Sequence, residues 1–264
     1  MKFTSIDLHI QNTVARIVLN CPDKLNSLNG EMMLEIHKAV DSIQANKDVR
    51  VLVVTGNGRA FCAGQDLADP AMRVVDGKLP DIGDVVERLF KPLVMKLQNL
   101  RVPTIAAVNG LAAGGGASIA LACDIVVAAK SAYFLQAFSK IGLTPDTGST
   151  WFLSHRIGTA RAIGLAMLAD KLPATKAAEW GLIWEVLEDD EFAAGITSIA
   201  ERIAAMPTKA LVRIRQLIHA ADSHTIEQQL SMEASSIREM GWSTDYLEGL
   251  RAFQEKRPPN FTGE

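Results

Sequence analysis

The stretch NGLAAGGGASIALACDIVV, residues 109–127, decides the fold of this chain. Its residues are mostly small and apolar, and a helix-forming run follows three consecutive glycines. The segment TIAAVNG before them, 104–110, predicts a short buried strand, and DIVVAA, 124–129, predicts another. The glycines therefore lie where a strand gives way to a helix. They allow either tight helix–sheet packing or close approach of a ligand to the backbone.

The pattern on both sides of this stretch predicts an α/β protein. Short strands alternate with helices in the first half, which indicates parallel strand pairing, and the pattern becomes mainly helical in the second half. The polar stretch 68–84 is typical of a surface loop. The predicted strands are 13–20, 50–56, 104–110, 124–129 and a short one within 182–188, and the predicted helices are 30–46, 85–99, one from Gly115, 147–153, 174–181, 190–206, 208–221 and 226–255.

Composition bounds the possible functions. The chain has 264 residues, 48% of them hydrophobic, which is enough to bury a sizeable core. A net charge of -3 argues against a nucleic-acid partner. The sequence shows no long apolar run and no signal-peptide pattern, so we expect a cytoplasmic protein with no membrane partner. Three widely spaced cysteines and no H-E-x-x-H motif argue against a disulfide framework and against a metal site.

A second glycine-containing segment, GRAFCAGQDL at 58–67, directly follows the strand predicted at 50–56. Both glycine segments are therefore expected at the carboxyl ends of parallel strands, where α/β sheets bind ligands. Neither segment matches a phosphate-binding loop or a dinucleotide fingerprint. Unpaired backbone N–H groups, one from each segment, could together form an oxyanion hole. Tight packing of the glycines remains the alternative at this point.

Five segments in order resemble the crotonase family, also called the enoyl-CoA hydratase/isomerase superfamily. Besides the two glycine segments, they are LNCPDKLNSL at 19–28, FSKIGLTPDTGSTWFL at 138–153 and FQEKRPPNF at 253–261. The resemblance implies a crotonase-type spiral of repeated β-β-α units, with a C-terminal helical region that mediates trimerisation. It divides the chain into a core, 1–200, and a helical region, 201–264. It also implies an acyl-CoA thioester as substrate and a homotrimer or a dimer of trimers.

The resemblance further assigns site residues. The backbone N–H groups of Gln65 and Gly115 are expected to hold the thioester oxygen. No metal and no cofactor beyond the coenzyme A moiety of the substrate is implied. Lys24 could equally be a solvated turn residue, and Asp66 could be a loop anchor. The implied substrate-binding residues are Lys24, Ala63, Asp66 and Leu67, together with Phe253 and Lys256, which can complete the site of a neighbouring subunit.

The acid–base residues depart from those of the hydratases. Hydratases of the family carry two glutamates, at the positions of Ser118 and Phe138 in this chain. Asp146 is the carboxylate that remains nearby, at a position where isomerases of the family place a catalytic aspartate. Its local alternative is the N-cap of the helix predicted at 147–153. Apolar neighbours are expected to raise the pKa of Asp146 and suit it to move a proton.

These residues predict an acyl-CoA isomerase with one acid–base group. The resemblance implies conversion of ring-1,2-epoxyphenylacetyl-CoA to oxepin-CoA, a shift of Δ3 double bonds to Δ2, or both. The alternatives are a fatty-acid-oxidation Δ3,Δ2-enoyl-CoA isomerase, an enoyl-CoA hydratase and a non-catalytic CoA-binding scaffold. Asp124, in contrast, is expected to cap or bridge structure rather than to catalyse.

Overall fold

The computed structural model describes residues 2–264, which form two β-sheets surrounded by helices. The strands are β1 (Ile6–Gln11), β2 (Val14–Leu19), β3 (Val51–Gly56), β4 (Ala60–Cys62), β5 (Thr104–Val108), β6 (Leu111–Ala113), β7 (Ile125–Ala129), β8 (Tyr133–Leu135), β9 (Leu172–Pro173) and β10 (Glu185–Leu187). The helices are α1 (Gly30–Ala45), α2 (Ile82–Val85), α3 (Lys91–Gln98), α4 (Gly115–Leu121), α5 (Ser149–Leu168), α6 (Ala174–Glu179), α7 (Phe192–Ala204), α8 (Thr208–Ala221), α9 (Ile226–Met240) and α10 (Thr244–Glu255).

The two sheets are built by a repeated pair of strands. The larger sheet has the order β1-β2-β3-β5-β7-β10, and the smaller has the order β4-β6-β8-β9. Each of β3, β5 and β7 in the larger sheet is followed by a short strand, β4, β6 or β8, in the smaller one. The pairings β3–β5, β5–β7, β4–β6 and β6–β8 are all parallel. This repetition is the predicted spiral of β-β-α units, and it confirms the α/β fold class.

The central strands are covered on both faces, as their continuous apolar runs predict. In β3, Leu52 and Val54 belong to the main core, while Val51 and Val53 belong to a second apolar cluster with α7. Helix α7 contributes Ile196, Ile199 and Ile203 to that second cluster. The larger sheet is therefore the middle layer of the protein, and the smaller sheet lies on the side of the main core.

Helix α8 is attached to the core by a buried arginine. Arg215 donates to the carbonyl oxygens of Leu97 (3.0 Å) and Leu100 (2.5 Å) at the end of α3. Its Nε lies 3.5 Å from Oδ1 of Asp124, whose other carboxylate oxygen accepts from the backbone N–H of Thr104. Asp124 therefore bridges structural elements, as predicted.

Several elements differ from the sequence predictions. The run predicted at 226–255 is two helices, because the chain turns at Gly241–Ser243 and the Ser243 side chain caps α10. The strands of the smaller sheet were not predicted, because strands of two or three residues carry no measurable periodicity. Strand β1 was also missed, although Ile6, Leu8 and Ile10 alternate with polar residues along its length. The division at 200/201 stays a prediction, and α7 runs across it. Within residues 2–264, no helix is both long and apolar enough to cross a membrane.

Candidate active site

A cavity of about 160 Å³ lies beyond the ends of β4 and β6. These two short strands are parallel neighbours, so the segments that leave them emerge side by side. Gly64 and Gln65 follow β4, and Gly114 and Gly115 follow β6; all four residues line the cavity. The two glycine segments therefore meet at one site, as predicted, but they leave β4 and β6 of the smaller sheet and not the predicted strands β3 and β5.

Each of the three central glycines is required for a different physical reason. Gly114 has φ 49° and ψ −127°, a conformation that side chains disfavour. A Cβ on Gly116 would lie 2.6 Å from both the carbonyl oxygen and Sγ of Cys62, so Gly116 allows α4 to pack against β4. A Cβ on Gly115 would lie 3.2 Å from the ring of Phe90, inside the cavity. Tight packing therefore explains Gly116, and an open cavity wall explains Gly115.

Two backbone N–H groups in this wall are available to a ligand. Their neighbours are used within the protein, since Gly114 donates to the carbonyl oxygen of Leu135 (2.9 Å) and Asp66 to that of Leu28 (2.8 Å). Within residues 2–264, neither Gln65 N–H nor Gly115 N–H donates to a protein acceptor. Gly115 is the first residue of α4, where the N–H has no partner within the helix. The two N–H groups can therefore donate two hydrogen bonds to one ligand oxygen.

One carboxylate faces this cavity. Among the described residues that line it, Asp146 is the only one with a side chain that ionises. Burial raises the pKa of Asp146 above that of a free carboxyl group, while a hydrogen bond from the Thr147 hydroxyl acts in the opposite direction. The Thr147 Oγ1 lies 2.8 Å from Oδ1 of Asp146. A carboxylate with a raised pKa in an apolar cavity can both take and return a proton.

Asp146 does not cap the following helix with its side chain. Helix α5 begins at Ser149 and its N-cap is Gly148, which makes no side-chain cap. Thr147 and Gly148 both have positive φ, 53° and 82°, so the predicted helix start at Thr147 is wrong. The left-handed pair turns the chain before the helix begins, and it leaves the Asp146 carboxylate to the cavity rather than to the helix end.

The rest of the cavity wall is apolar. Apart from Leu67 and those of the segment 138–153, these residues belong to no sequence motif, because they come from separate elements. A π-helical turn, Val86–Phe90, joins α2 to α3 and sets Val85 and Phe90 five residues apart on one wall. Among residues 2–264, none that follows Asp146 in the sequence lines the cavity. The apolar lining residues are Leu67, Met72, Ile82, Val85, Val86, Phe90, Ala137, Phe138, Ile141 and Leu143.

The positions of the two hydratase glutamates hold no carboxylate. Ser118 is fully buried in α4, where its hydroxyl contacts the carbonyl oxygen of Gly114 (3.2 Å) and the hydroxyl of Ser149. Phe138 is buried and lines the cavity beside Gly114. The first position therefore serves packing, and the second adds apolar surface where a water-activating group would be needed for hydration.

The remaining predicted site residues lie in two places. Ala63 and Leu67 line the cavity. Lys24 and Asp66 lie outside the cavity wall and pair with each other, with Nζ 3.2 Å from Oδ2. The carboxylate of Asp66 also accepts from Ala68 N–H (2.9 Å), so Asp66 anchors the loop, and that backbone bond is the largest cause of its lowered pKa.

Phe253 and Lys256 lie at the end of α10 and do not line the cavity of their own chain. The Phe253 side chain is 85% exposed, so it is available to a neighbouring molecule. Their predicted part in the site of another subunit stays a prediction.

Comparison with known proteins agrees with this geometry. The sequence profile of the family described as Enoyl-CoA hydratase/isomerase matches residues 9–264. The chain is 46% identical to a 1,2-epoxyphenylacetyl-CoA isomerase of Escherichia coli, over 97% of each protein. It is 42% identical to a probable enoyl-CoA hydratase of Rhodobacter capsulatus over the whole of both. The crystal structure of an enoyl-CoA hydratase from Bacillus anthracis superposes with a TM-score of 0.92 at 31% identity, covering 99% of this chain and 100% of that one. The chain belongs to the enoyl-CoA hydratase/isomerase family and has the crotonase fold.

Proposed function

We propose that this protein is an acyl-CoA isomerase that moves a proton between two positions of the acyl group. One observation carries the proposal: among residues 2–264, Asp146 supplies the one carboxylate in the apolar cavity, where the N–H groups of Gln65 and Gly115 donate to no protein acceptor. A proton shift needs one group that takes and returns the proton and a site that stabilises the enolate formed in between. Hydration would also need groups that orient and activate water.

The thioester oxygen is held by Gln65 N–H and Gly115 N–H. When Asp146 removes a proton from the carbon beside the thioester, the electron pair of that C–H bond moves into an enolate whose charge rests on this oxygen. The same carboxylate then returns the proton further along the chain, which gives a Δ3-to-Δ2 shift. Removal of one such donor typically costs about 2.7–4 kcal/mol of transition-state stabilisation.

The substrate proposed first is ring-1,2-epoxyphenylacetyl-CoA, isomerised to oxepin-CoA, with the Δ3-to-Δ2 shift as an accompanying activity. Its support is the 46% identity to a relative named for this activity and the two aromatic side chains, Phe90 and Phe138, in the cavity wall. The second candidate is an enoyl-CoA hydratase, the name given to the relative that is 42% identical. The side chains at positions 118 and 138 weigh against it.

The coenzyme A moiety is proposed to contact Lys24, Ala63, Asp66 and Leu67. The ammonium of Lys24 suits a phosphate and is accessible, although it pairs with Asp66 in the unliganded chain. Ala63 and Leu67 extend the cavity wall from the oxyanion segment toward this pair. Proton transfer by a carboxylate needs neither a metal nor a second cofactor, so none is proposed.

The test is a panel of acyl-CoA thioesters assayed separately for isomerisation and hydration. We expect turnover of ring-1,2-epoxyphenylacetyl-CoA and of a 3-enoyl-CoA, with very low hydration of crotonyl-CoA. Asp146→Asn should lower kcat by at least about 10²-fold, because an amide cannot act as a base. Asp41→Asn, on the exposed side of α1, is the control and should be fully active. Rapid crotonyl-CoA hydration, or an active Asp146→Asn variant, would overturn the proposal.

A further inference from the structure

The residue after the proposed base has an unusual backbone conformation. Thr147 has φ 53°, in the left-handed region that a β-branched residue rarely adopts. Its side chain is buried, with 5% of its surface exposed. Strain of this kind persists only where the surrounding structure enforces it. The strained conformation of Thr147 therefore points to a role for its side chain.

Hydrogen bonds from helix α4 and from the start of α5 hold this turn in place. The carbonyl oxygen of Asp146 accepts from Ser149 N–H (2.9 Å), and the Ser118 hydroxyl lies 3.5 Å from the same oxygen. Ser118 also contacts the hydroxyl of Ser149. The backbone on either side of Thr147 is thus fixed to α4, the helix whose first residue is the oxyanion donor Gly115.

The Thr147 side chain points from this turn toward both parts of the site. Its Oγ1 lies 2.8 Å from Oδ1 of Asp146. The same Oγ1 would be 3.7 Å from a Cβ placed on Gly115, so the hydroxyl lies beside the backbone of the oxyanion wall. Oδ2 of Asp146, in contrast, accepts no hydrogen bond from residues 2–264.

We propose that Thr147 is the positioning residue of the catalytic carboxylate: its hydroxyl occupies Oδ1 of Asp146 and leaves Oδ2 as the atom that takes and returns the proton. In the proton transfer, the substrate C–H bond breaks, an O–H bond forms at Oδ2 and the electron pair passes to the thioester oxygen; the return step reverses this at a second carbon. The hydroxyl also favours the ionised carboxylate, which opposes the effect of burial. The inference rests on the proposed role of Asp146 as the base.

Among residues 2–264, no charged side chain other than that of Asp146 lines the cavity. The charged residues of the two neighbouring segments, Glu87, Arg88 and Lys140, do not line it. The Thr147 hydroxyl is therefore the side-chain group that opposes the effect of burial on the pKa of Asp146, together with the Asp146 backbone.

The test measures kcat/KM for isomerisation against pH in Thr147→Val, Thr147→Gly and Thr147→Ser. Valine keeps the shape and removes the hydroxyl, and glycine removes the hydroxyl while accepting the positive φ without strain. Both substitutions should shift the apparent pKa on the acidic side of the profile upward by about 1 pH unit, because the ionised carboxylate loses a hydrogen bond. Thr147→Ser keeps the hydroxyl and should retain the original apparent pKa. Thr147→Gly keeps the test available if the valine variant folds poorly.

The outcomes separate this inference from the proposed function. If the apparent pKa is unchanged in Thr147→Val and Thr147→Gly and activity is lowered equally at every pH, Thr147 has only a structural role and the inference is wrong. An active Asp146→Asn variant would instead remove the proposed base. If Asp146→Asn is inactive and the pH profiles of the Thr147 variants keep the original apparent pKa, the proposed function stands and the positioning role fails.

Discussion

A carboxylate that must act as a base inside an apolar cavity is stabilised less well by the folded protein than by water. Burial raises the pKa of Asp146, so the folded chain binds this proton more tightly than the unfolded chain does. Ionisation of Asp146 therefore lowers the stability of the fold as the pH rises above the unfolded value, about 3.9. The Thr147 hydroxyl offsets part of this cost at the carboxylate that the proposed mechanism uses as its base.

The Asp146→Asn variant should have a melting temperature at pH 7 equal to or above that of the unaltered protein. The amide removes a buried charge, and no helix cap is lost because the Asp146 side chain caps nothing. The difference should shrink as the pH falls toward about 4 and vanish below it, where the carboxyl group is protonated in both the folded and the unfolded chain. Thermal melts at pH 7 and pH 4 measure it.

Asp69→Asn is the control variant for the thermal unfolding of Asp146→Asn. The two carboxylate oxygens of Asp69 accept from Gly30 N–H and Ala71 N–H, both at 2.7 Å. Replacing one oxygen by an amide nitrogen breaks one of these bonds, so this variant should melt at a lower temperature. A clear loss of stability in Asp146→Asn at pH 7 would contradict the assignment of Asp146 as a buried, functionally placed charge.

The junction of β6 and α4 shows how one element serves packing and chemistry in consecutive residues. Gly116 lies against Cys62, which is fully buried and whose thiol pKa burial raises to about 12. Gly115, one residue earlier, lies on the open wall of the cavity. Because successive helical residues point about 100° apart, one of them can face the sheet while its neighbour faces the ligand.

This difference predicts that alanine at position 116 mainly lowers stability, whereas alanine at position 115 mainly lowers activity. Gly116→Ala should destabilise the fold by about 1–3 kcal/mol, because its Cβ would overlap backbone and side-chain atoms of Cys62. Gly115→Ala should cost less stability, since the Phe90 ring can move, but should lower kcat/KM by about 10²-fold by displacing the thioester from one donor. Urea unfolding and isomerase kinetics on both variants measure the two effects.

Gly164→Ala is the matched control. No heavy atom lies within 4 Å of a Cβ at this position in α5, so alanine should stabilise the helix by about 0.5–1 kcal/mol and leave kinetics unchanged. If Gly115→Ala and Gly116→Ala lost stability and activity in the same proportion, the separation of packing and binding roles would be wrong.

The single chain leaves a large apolar surface on its C-terminal helices. Ile237, Trp242 and Phe253 are 73%, 84% and 85% exposed, on and between α9 and α10. Contiguous exposed apolar surface is typical of a site that another molecule covers. The family resemblance implies that the occupants are further copies of this chain, and a homotrimer or a dimer of trimers stays a prediction.

Phe253→Ser tests whether this assembly completes the substrate site. The variant should raise KM for acyl-CoA several-fold and leave kcat nearly unchanged, because a contact to the coenzyme A moiety stabilises ground state and transition state alike. Ile226→Ser, at the start of α9 and 75% exposed, is the control and should leave KM unchanged. Light scattering reports the mass of each variant. An unchanged KM in an intact Phe253→Ser oligomer would remove Phe253 from the neighbouring site.

Part of this protein could be deduced from the sequence because the information is local. Continuous apolar runs predicted the central strands, helical spacing predicted α1 and α8, and two glycine segments after consecutive strands predicted one site. The family resemblance and the carboxylate at Asp146 followed from short motifs that remain recognisable without coordinates. The side chains at Ser118 and Phe138 were equally plain in the sequence, and they pointed away from hydration.

The remainder was decided by tertiary structure, because it depends on residues that are distant in the chain. The apolar wall combines Met72, the π-helical turn, Phe138 and Leu143, and no sequence period connects them. Which glycine packs and which faces the cavity depends on the positions of Cys62 and Phe90. Thr147 is left-handed in a turn that the Ser149 N–H closes by donating to the Asp146 carbonyl oxygen, whereas local preference alone would start a helix there. Periodicity records the neighbours of a residue along the chain, whereas a cavity is made by neighbours in space.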